Sequence, residues 1–321
     1  MVPRSIPMYH VPVGKMRSYK SVWNIVDLFK IPLGIIKAFW IIRRFRPDVI
    51  FAKGGYVSLP TVVAGWLAKV PVVMHDSDSV PGRTNLYLAR FANKVGVNFA
   101  EIVGKYPPDK AVYTGLPIRP EFKKASVARA KKFLKYQGSK PILLVTGASS
   151  GAHNINKMVL PILPQLLKEY FVVWQCGERN VEEMEIAISP SLQGRGTRTE
   201  NLRVYGFINQ EMSDVMKAAD LIVSRASATN VAEAFYLKKP CFLIPLPWAA
   251  QNHQVENARL WAKKGLVRYK EERSLTPEKL LVEIEKTWKE RKKLVKNIGG
   301  LEVLDGTKRV AAMIRGAAGR Y

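Results

Sequence analysis

Five polar or glycine-bearing clusters in this 321-residue sequence fall where an apolar run gives way to a helical pattern. In open parallel sheets such strand ends face ligands, and the helix N-termini that follow offer free amides to anions. The first, Ala52-Lys53-Gly54-Gly55-Tyr56-Val57-Ser58, has glycines that let the backbone approach a phosphate and a lysine that adds charge, although Gly-Gly also makes an ordinary turn. The second, residues 75–85, concentrates His75, Asp76, Ser77, Asp78, Ser79 and Asn85. These can supply a general base and hydrogen bonds to sugar hydroxyls. They can equally be a plain N-cap, with Asp78 or Ser79 capping a helix that begins near Pro81. The third, residues 146–152, offers amides and the hydroxyls of Ser149 and Ser150 to a phosphate, but is neither a Walker loop nor a GxGxxG fingerprint. In the fourth, residues 224–233, Ser227, Ala228, Thr229 and Asn230 open a helix and Glu233 follows one turn in, placed to hold a ribose diol. A buried helix packed through small residues is the competing account. The fifth, residues 245–258, brings His253, Gln254 and Asn257 to a helix start, which suits hydroxyl recognition and fits no metal-ligand spacing. A single such cluster says little; five at equivalent strand ends say more.

The elements that must position them alternate along the chain. Apolar runs at 49–51, 70–74, 94–98 and 112–114 read as strands, with helices near 59–68 and 83–91. This rhythm predicts a parallel, helix-covered sheet. Two prolines and a glycine in Gly115-Leu116-Pro117-Ile118-Arg119-Pro120 break the pattern and mark a domain boundary, giving expected domains of 1–120 and 121–321. After a lysine-rich helical segment at 123–135, strands are expected at 141–145, 171–175, 202–205, 221–223 and 241–244, with helices near 154–169, 210–218, 230–236 and 253–263. A helical tail at 277–294 and 306–314 closes the chain. Two consecutive doubly wound α/β domains are the expectation.

Composition narrows the partners. A formal charge of +25 draws the protein toward nucleic acid, an anionic membrane or phosphorylated substrates. The first 48 residues carry nine Lys or Arg against Asp27 and Asp48, interleaved with Trp23, Phe29, Phe39 and Trp40, a mixture suited to a membrane interface. Nucleic-acid binding rests on charge alone, since the aromatic residues are not set in an RNA- or DNA-binding motif. The longest apolar run, 31–42, is interrupted by Lys37 and is shorter than the roughly 20 residues a spanning helix takes. No apolar stretch of signal-peptide type follows Met1. Cys176 and Cys241 each sit in an apolar run and read as small buried hydrophobes, which fits a reducing cytoplasm and gives no disulfide framework or metal site.

Read in order, the clusters resemble the motifs of the MurG-type glycosyltransferases of family 28, and the resemblance covers nearly the whole chain. Arg46-Pro47-Asp48-Val49 leading to Gly54-Gly55-Tyr56-Val57-Ser58 is similar to the family's second-loop signature, which makes Gly54, Gly55 and Tyr56 an acceptor or phosphate loop. Residues 75–85 look like its His-Glu-Gln-Asn or His-Glu-Ser-Asp segment, with Asp76 in the glutamate's place and Asp78 in that of a donor-contacting residue. Gly115 to Arg119 resembles Gly-Asn-Pro-Val-Arg, which gives Arg119 a donor-binding role, while Leu116 departs from the asparagine. Gly147 to Ala152 resembles Gly-Gly-Ser-x-Gly-Ala, which puts Ser149 on the donor diphosphate or uridine side. Phe207-Ile208 looks like the pair that receives uracil. Ser227 to Glu233 is similar to the loop around the donor phosphates, with Glu233 on the ribose and Ser227 where the family has glycine. Gln254 and Asn257 match the helix that addresses the sugar hydroxyls.

The resemblance implies a GT-B fold of two Rossmann-like domains facing a cleft. It also implies an inverting transfer of N-acetylglucosamine from UDP-GlcNAc to an undecaprenyl-linked muramoyl peptide (lipid I to lipid II) in peptidoglycan synthesis, in the service of cell shape and division. The protein would then be peripheral on the cytoplasmic face of the membrane, with no cofactor or metal required and with cell-wall or division machinery as further partners. The family opens with a strand, a Gly-Gly-Thr-Gly-Gly-His loop, a helix and a second strand, and this sequence enters after them. A start placed too late, or a fragment, is the expectation, and it leaves Asp76 as the candidate base because the family's loop histidine is missing. A related transfer to diacylglycerol, or an inactive UDP-sugar-binding homologue, are the rival readings.

Overall fold

In the computed structural model, which describes residues 6–14, 23–147, 153–192, 199–246, 252–302 and 305–319, the chain divides into two compact units, Met1–Pro117 with Gly306–Tyr321, and Ile118–Asp305. The first unit runs α1 (Trp23–Phe45), β1 (Ile50–Ala52), α2 (Leu59–Leu67), β2 (Val72–Asp76), α3 (Arg83–Leu88), β3 (Lys94–Val97) and β4 (Ala111–Tyr113). The four strands pair in parallel in the order β1-β2-β3-β4. Every residue of β2 is buried, as an inner strand covered on both faces requires, so His75 and Asp76 enter the interior at its carboxyl end. Among the described residues β1 pairs on one side only, and Phe51 on that edge strand is 39% exposed.

Helix α1 was legible only as a basic, aromatic stretch. Asp27, Gly34, Ala38 and Ile42 recur at helical spacing and are buried, and α1 packs against α2. Phe29, Leu33, Ile36 and Trp40 form a second apolar stripe that stays 56–69% exposed. Such a helix is apolar on two faces but has only one of them covered. Among the described residues no helix is long and apolar enough to cross a membrane.

The second unit continues α4 (Pro120–Lys123), α5 (Val127–Phe133), β5 (Ile142–Thr146), α6 (His153–Glu169), β6 (Phe171–Gln175), α7 (Val181–Leu192) and β7 (Leu202–Tyr205). It then adds α8 (Met212–Ala218), β8 (Leu221–Ser224), α9 (Ala228–Tyr236), β9 (Cys241–Leu243), α10 (His253–Lys263), β10 (Arg268–Tyr269) and α11 (Pro277–Gly299). Its six strands are parallel in the order β10-β9-β8-β5-β6-β7. The chain starts in the middle at β5, winds outward to β7, then returns to β8 on the other side. The switch point between β5 and β8 is where a doubly wound sheet opens a crevice for ligands. Leu143, Val145, Val172, Trp174 and Val223 from the sheet meet Ile155, Val159 and Leu163 of α6 and Leu280 and Ile284 of α11 in one core. Each such fully buried side chain contributes about 1.5–3 kcal/mol. Trp174 is paired as well as packed: its Nε1 donates to Asn156 Oδ1 at 3.1 Å, and Asn156 Nδ2 donates to the Cys176 carbonyl at 2.8 Å. Both cysteines are buried, which pushes their thiols up to about 11 for Cys176 and about 12 for Cys241.

The last helix, α12 (Thr307–Ala317), departs from the expected division: residues 306–321 belong with the first unit, not the second. The Gly306 N–H donates to the Leu116 carbonyl at 2.9 Å, and a Cβ on Gly306 would lie 2.6 Å from the Gly115 carbonyl. Only glycine permits that approach. Arg309 Nη1 then donates to the Tyr113 carbonyl at 3.3 Å. The contact joins positions about 190 apart, and no local pattern announces it.

Candidate functional site

The carboxyl ends of β5, β6 and β8 each finish an apolar strand with a polar residue: Thr146, Gln175 and Ser224. All three line one cavity of about 260 Å³ in the second unit. Phe207, Ile208 and Asn209 from the loop after β7 form another wall, together with Met212 and Met216 of α8. Arg119 and three residues of α9, Thr229, Asn230 and Glu233, complete it. An apolar chamber with a few convergent polar groups is the usual form of a small-molecule site.

Of the residues read from the sequence, Arg119, Ile208, Thr229, Asn230 and Glu233 come together around this cavity. Ser227 is the N-cap of α9 and Ala228 its first residue, so the free amides of that helix open beside it. Glu233 is 1% exposed. Arg119 grips it as a fork, Nε to Oε1 at 2.7 Å and Nη2 to Oε2 at 3.1 Å. Burial pushes the Glu233 carboxyl up and the guanidinium pulls it back. Gln254 and Asn257 lie on α10 and are not among the residues that line the cavity. Gln254 Oε1 accepts from the Leu246 N–H at 3.0 Å, and Asn257 is fully buried. Ser149 lies outside the described residues.

Sequence reasoning missed Gln175. Its Oε1 accepts the Ile208 N–H at 3.0 Å and its Nε2 reaches Thr146 Oγ1 at 3.4 Å, so it fixes the loop that walls the cavity. A glutamine ending the run Phe171-Val172-Val173-Trp174 was the available signal. Arg225, also unassigned, is 6% exposed. Its Nη1 lies 2.5 Å from Glu272 Oε2 and donates to the Ile244 carbonyl at 3.2 Å, which pins the loop between β8 and α9.

In the first unit the 75–85 cluster is no helix cap, because the N-cap of α3 is Gly82 with no side-chain bond. Asp76, 4% exposed, anchors a network instead. Its Oδ2 accepts from Tyr106 OH at 2.5 Å and from Asn85 Nδ2 at 2.9 Å, while Oδ1 accepts a long 3.4 Å contact from the Asp78 N–H. Burial first, then the Asp76 charge, hold the Tyr106 phenol far above its ordinary value, so it stays a donor. Asn85 Oδ1 in turn accepts the Gly55 N–H at 2.8 Å, and Ser58 Oγ donates to the Gly54 carbonyl at 2.7 Å. Gly54 and Gly55 both have positive φ, 83° and 77°, and a Cβ on Gly54 would strike Asn85 Oδ1 at 2.4 Å. The glycine pair is therefore a shaped loop tied to Asp76 through Asn85, with Tyr56 40% exposed next to it.

Beside it His75 is fully buried. Desolvation and then the neighbouring Lys53 charge bring its pKa down to about 4, so it is neutral at pH 7. Its Nε2 lies 2.9 Å from the Gly115 carbonyl and its Nδ1 lies 3.2 Å from Lys53 Nζ. The neutral ring thus donates from Nε2 and accepts at Nδ1. Lys53 Nζ also donates to Ser77 Oγ at 2.9 Å. Among the described residues no group of three His, Cys, Asp or Glu side chains gathers as a metal set.

Comparison with known proteins agrees with this geometry. Residues 142–309 match the model of the glycosyltransferase family 28 C-terminal domain, and residues 3–97 that of the family's N-terminal domain. A relative from Bacillus cereus (strain ATCC 10987 / NRS 248), named UDP-N-acetylglucosamine--N-acetylmuramyl-(pentapeptide) pyrophosphoryl-undecaprenol N-acetylglucosamine transferase 2, is 37% identical over 281 residues, 87% of this chain and 77% of its own length. The UDP-N-acetylglucosamine--N-acetylmuramyl-(pentapeptide) pyrophosphoryl-undecaprenol N-acetylglucosamine transferase of Geobacillus thermodenitrificans (strain NG80-2) is 34% identical over 314 residues, 98% of this chain and 85% of its own length. The crystal structure of Acinetobacter baumannii MurG superposes with a TM-score of 0.71 at 25% identity, covering 98% of this chain and 86% of that one. Two parallel-sheet α/β units, a cavity at the switch point of the second, and family matches over both halves lead to one conclusion: the chain belongs to glycosyltransferase family 28.

Proposed function

We propose that this chain transfers N-acetylglucosamine from UDP-GlcNAc to an undecaprenyl-pyrophosphoryl muramoyl peptide at a membrane surface, the step of peptidoglycan synthesis for which its relatives are named. The observation that carries the proposal is the switch-point cavity with a buried carboxylate, Glu233, in its lining. The nucleoside enters there, with uracil against Phe207 and Ile208 and the ribose diol on Glu233. Because the Ile208 N–H is already taken by Gln175, the base meets the Ile208 carbonyl or moves the Gln175 carboxamide aside. The diphosphate lies at the N-terminus of α9, at Ser227 to Asn230; helix amides stabilise it as it leaves. Gln254, Asn257 and Asp78 serve the sugar, and the Gly54-Gly55-Tyr56 loop serves the acceptor. No metal is needed for this scheme. The acceptor oxygen attacks the anomeric carbon, the bond to the UDP oxygen breaks, and the hydroxyl proton passes to the Asp76 carboxylate. Calorimetric titration is expected to show UDP binding to the free chain. Transfer is expected from UDP-GlcNAc to the muramoyl acceptor and not to diacylglycerol. Binding without any transfer would leave only a UDP-sugar-binding homologue, and no binding would end the proposal.

The exposed stripe Phe29, Leu33, Ile36 and Trp40, with Lys37, Arg43, Arg44 and Arg46 exposed on the same helix or just after it, supports peripheral docking on anionic lipid. Each basic residue near such a surface is worth about 1 kcal/mol. Vesicles containing phosphatidylglycerol are expected to float the protein at low salt and to release it as salt rises. Flotation that ignores both lipid charge and salt would refute this docking mode.

A further inference from the structure

We propose that Lys53 is a positioning residue for the transfer step: its ammonium, fixed at the carboxyl end of β2, is the counter-charge that keeps the buried Asp76 a carboxylate, ready to take the acceptor proton. The proposal rests on the reading of Asp76 as the base, and it concerns a residue outside the Gly54-Gly55-Tyr56 loop. Lys53 follows β1 and is exposed as a whole. Its Nζ nevertheless turns to the end of β2, 3.2 Å from His75 Nδ1 and 2.9 Å from Ser77 Oγ. Those two residues flank Asp76 in the sequence. Burial pushes the Lys53 ammonium down in pKa, and the charges of Asp76 and Asp78 pull it back, so the cation and these carboxylates feel one another.

The groups that hold Lys53 do so without neutralising it. His75 is fully buried and neutral, and its Nε2 donates to the Gly115 carbonyl at 2.9 Å. Its Nδ1 is thereby an acceptor for the ammonium. Ser77 contributes a hydroxyl oxygen. A cation held by two neutral acceptors keeps its full charge for the carboxylates nearby. Asp76 is 4% exposed; burial disfavours an ionised carboxyl group, whereas donors and an opposite charge favour it. The donors are neutral, Tyr106 OH from the segment after β3 and Asn85 Nδ2 from α3. Asp78, on the same loop, works against ionisation. From α12 the uncharged Met313 reaches Gly96 beside the His75 ring. Of these groups Lys53 is the one that supplies positive charge.

The test follows transfer from UDP-GlcNAc to an undecaprenyl-pyrophosphoryl muramoyl peptide between about pH 5 and pH 9 in the parent, Lys53→Met and Lys53→Arg, reading kcat and the acceptor KM separately. Thermal melting shows that each variant is folded. In Lys53→Met the acid limb of kcat is expected to move up by about one pH unit or more, the effect of losing a nearby opposite charge, with the acceptor KM unchanged. Lys53→Arg keeps the charge and is expected to return the limb toward its parental place. The His75 ring, followed by NMR in Lys53→Met, is expected to titrate above its parental value of about 4, because a like charge beside it has gone. An acid limb that stays in place in folded Lys53→Met overturns the proposal, and a rise in acceptor KM instead would assign Lys53 to anion binding. An equal shift in Lys53→Arg would trace the effect to lost packing and overturn it too. Parental turnover in Asp76→Asn would remove the base on which the proposal rests, and a parent chain that transfers nothing would sink the transferase reading itself.

Discussion

Asp76→Ala is expected to abolish transfer and to lower the stability of the N-terminal unit by about 2–6 kcal/mol. The stability loss follows from two buried donors, Tyr106 OH and Asn85 Nδ2, that lose their acceptor together, each at a cost of about 1–3 kcal/mol. The functional loss has two sources, which Asp76→Asn separates. That variant keeps the shape and one acceptor oxygen but not the charge. If Asp76 takes the acceptor proton, Asp76→Asn keeps most of its stability while turnover falls about 10²–10⁴-fold, the usual weight of a general base. Turnover that survives in Asp76→Asn would assign the carboxylate to structure alone, as the anchor that holds Asn85 and through it the Gly55 loop. Tyr106→Phe is the matching control, since it removes one donor and leaves the carboxylate in place. Urea unfolding and single-turnover transfer read the two effects.

The second large effect is expected at a residue outside every loop that resembles a substrate site. Glu272→Ala should destabilise the C-terminal unit by about 3–5 kcal/mol, because Arg225 is left buried with no counter-charge. The same substitution frees the Asn154 side chain, whose Nδ2 donates to Glu272 Oε1 at 2.6 Å. It also releases the backbone that leads from β8 into Ser227 and the start of α9, so UDP affinity should fall with stability. Replacing both partners by leucine should recover most of the stability, since an apolar pair of similar volume needs no compensation. A single variant as stable as the parent would show that the pair contributes nothing.

Much of the architecture was written locally. The strand expected at 171–175 is β6 and that at 202–205 is β7, to the residue, while the others fall within one or two residues of β1 to β5, β8 and β9. A parallel strand covered on both faces is a continuous apolar run, and that signal does not depend on the rest of the chain. The two-residue β10 is too short to carry a pattern. Helix α7 carries charge on most of its first turns and shows no clean stripe, and α1 hides its period because it is apolar on two sides. The cluster at 75–85 was legible as polar residues at a strand end, but its role was not. Tyr106, which decides it, sits 30 residues away in a segment with no motif.

The elements, their parallel character, the family motifs and the residues Arg119, Ile208, Thr229, Asn230 and Glu233 are legible in the chain of residues alone, because each depends on short-range periodicity or on a motif read in order. Folding in three dimensions sets the rest: these five meet at one cavity, Glu233 is held by Arg119 across 114 positions, Gln175 occupies the Ile208 amide, Asp76 is tied to the glycine loop, and α12 belongs to the first unit. Those are contacts between distant segments, set by which strand lies beside which and by what is buried between them. Local propensity fixes the pieces; the pairing of β5 with β8 and the desolvation of the groups around it fix what they do together.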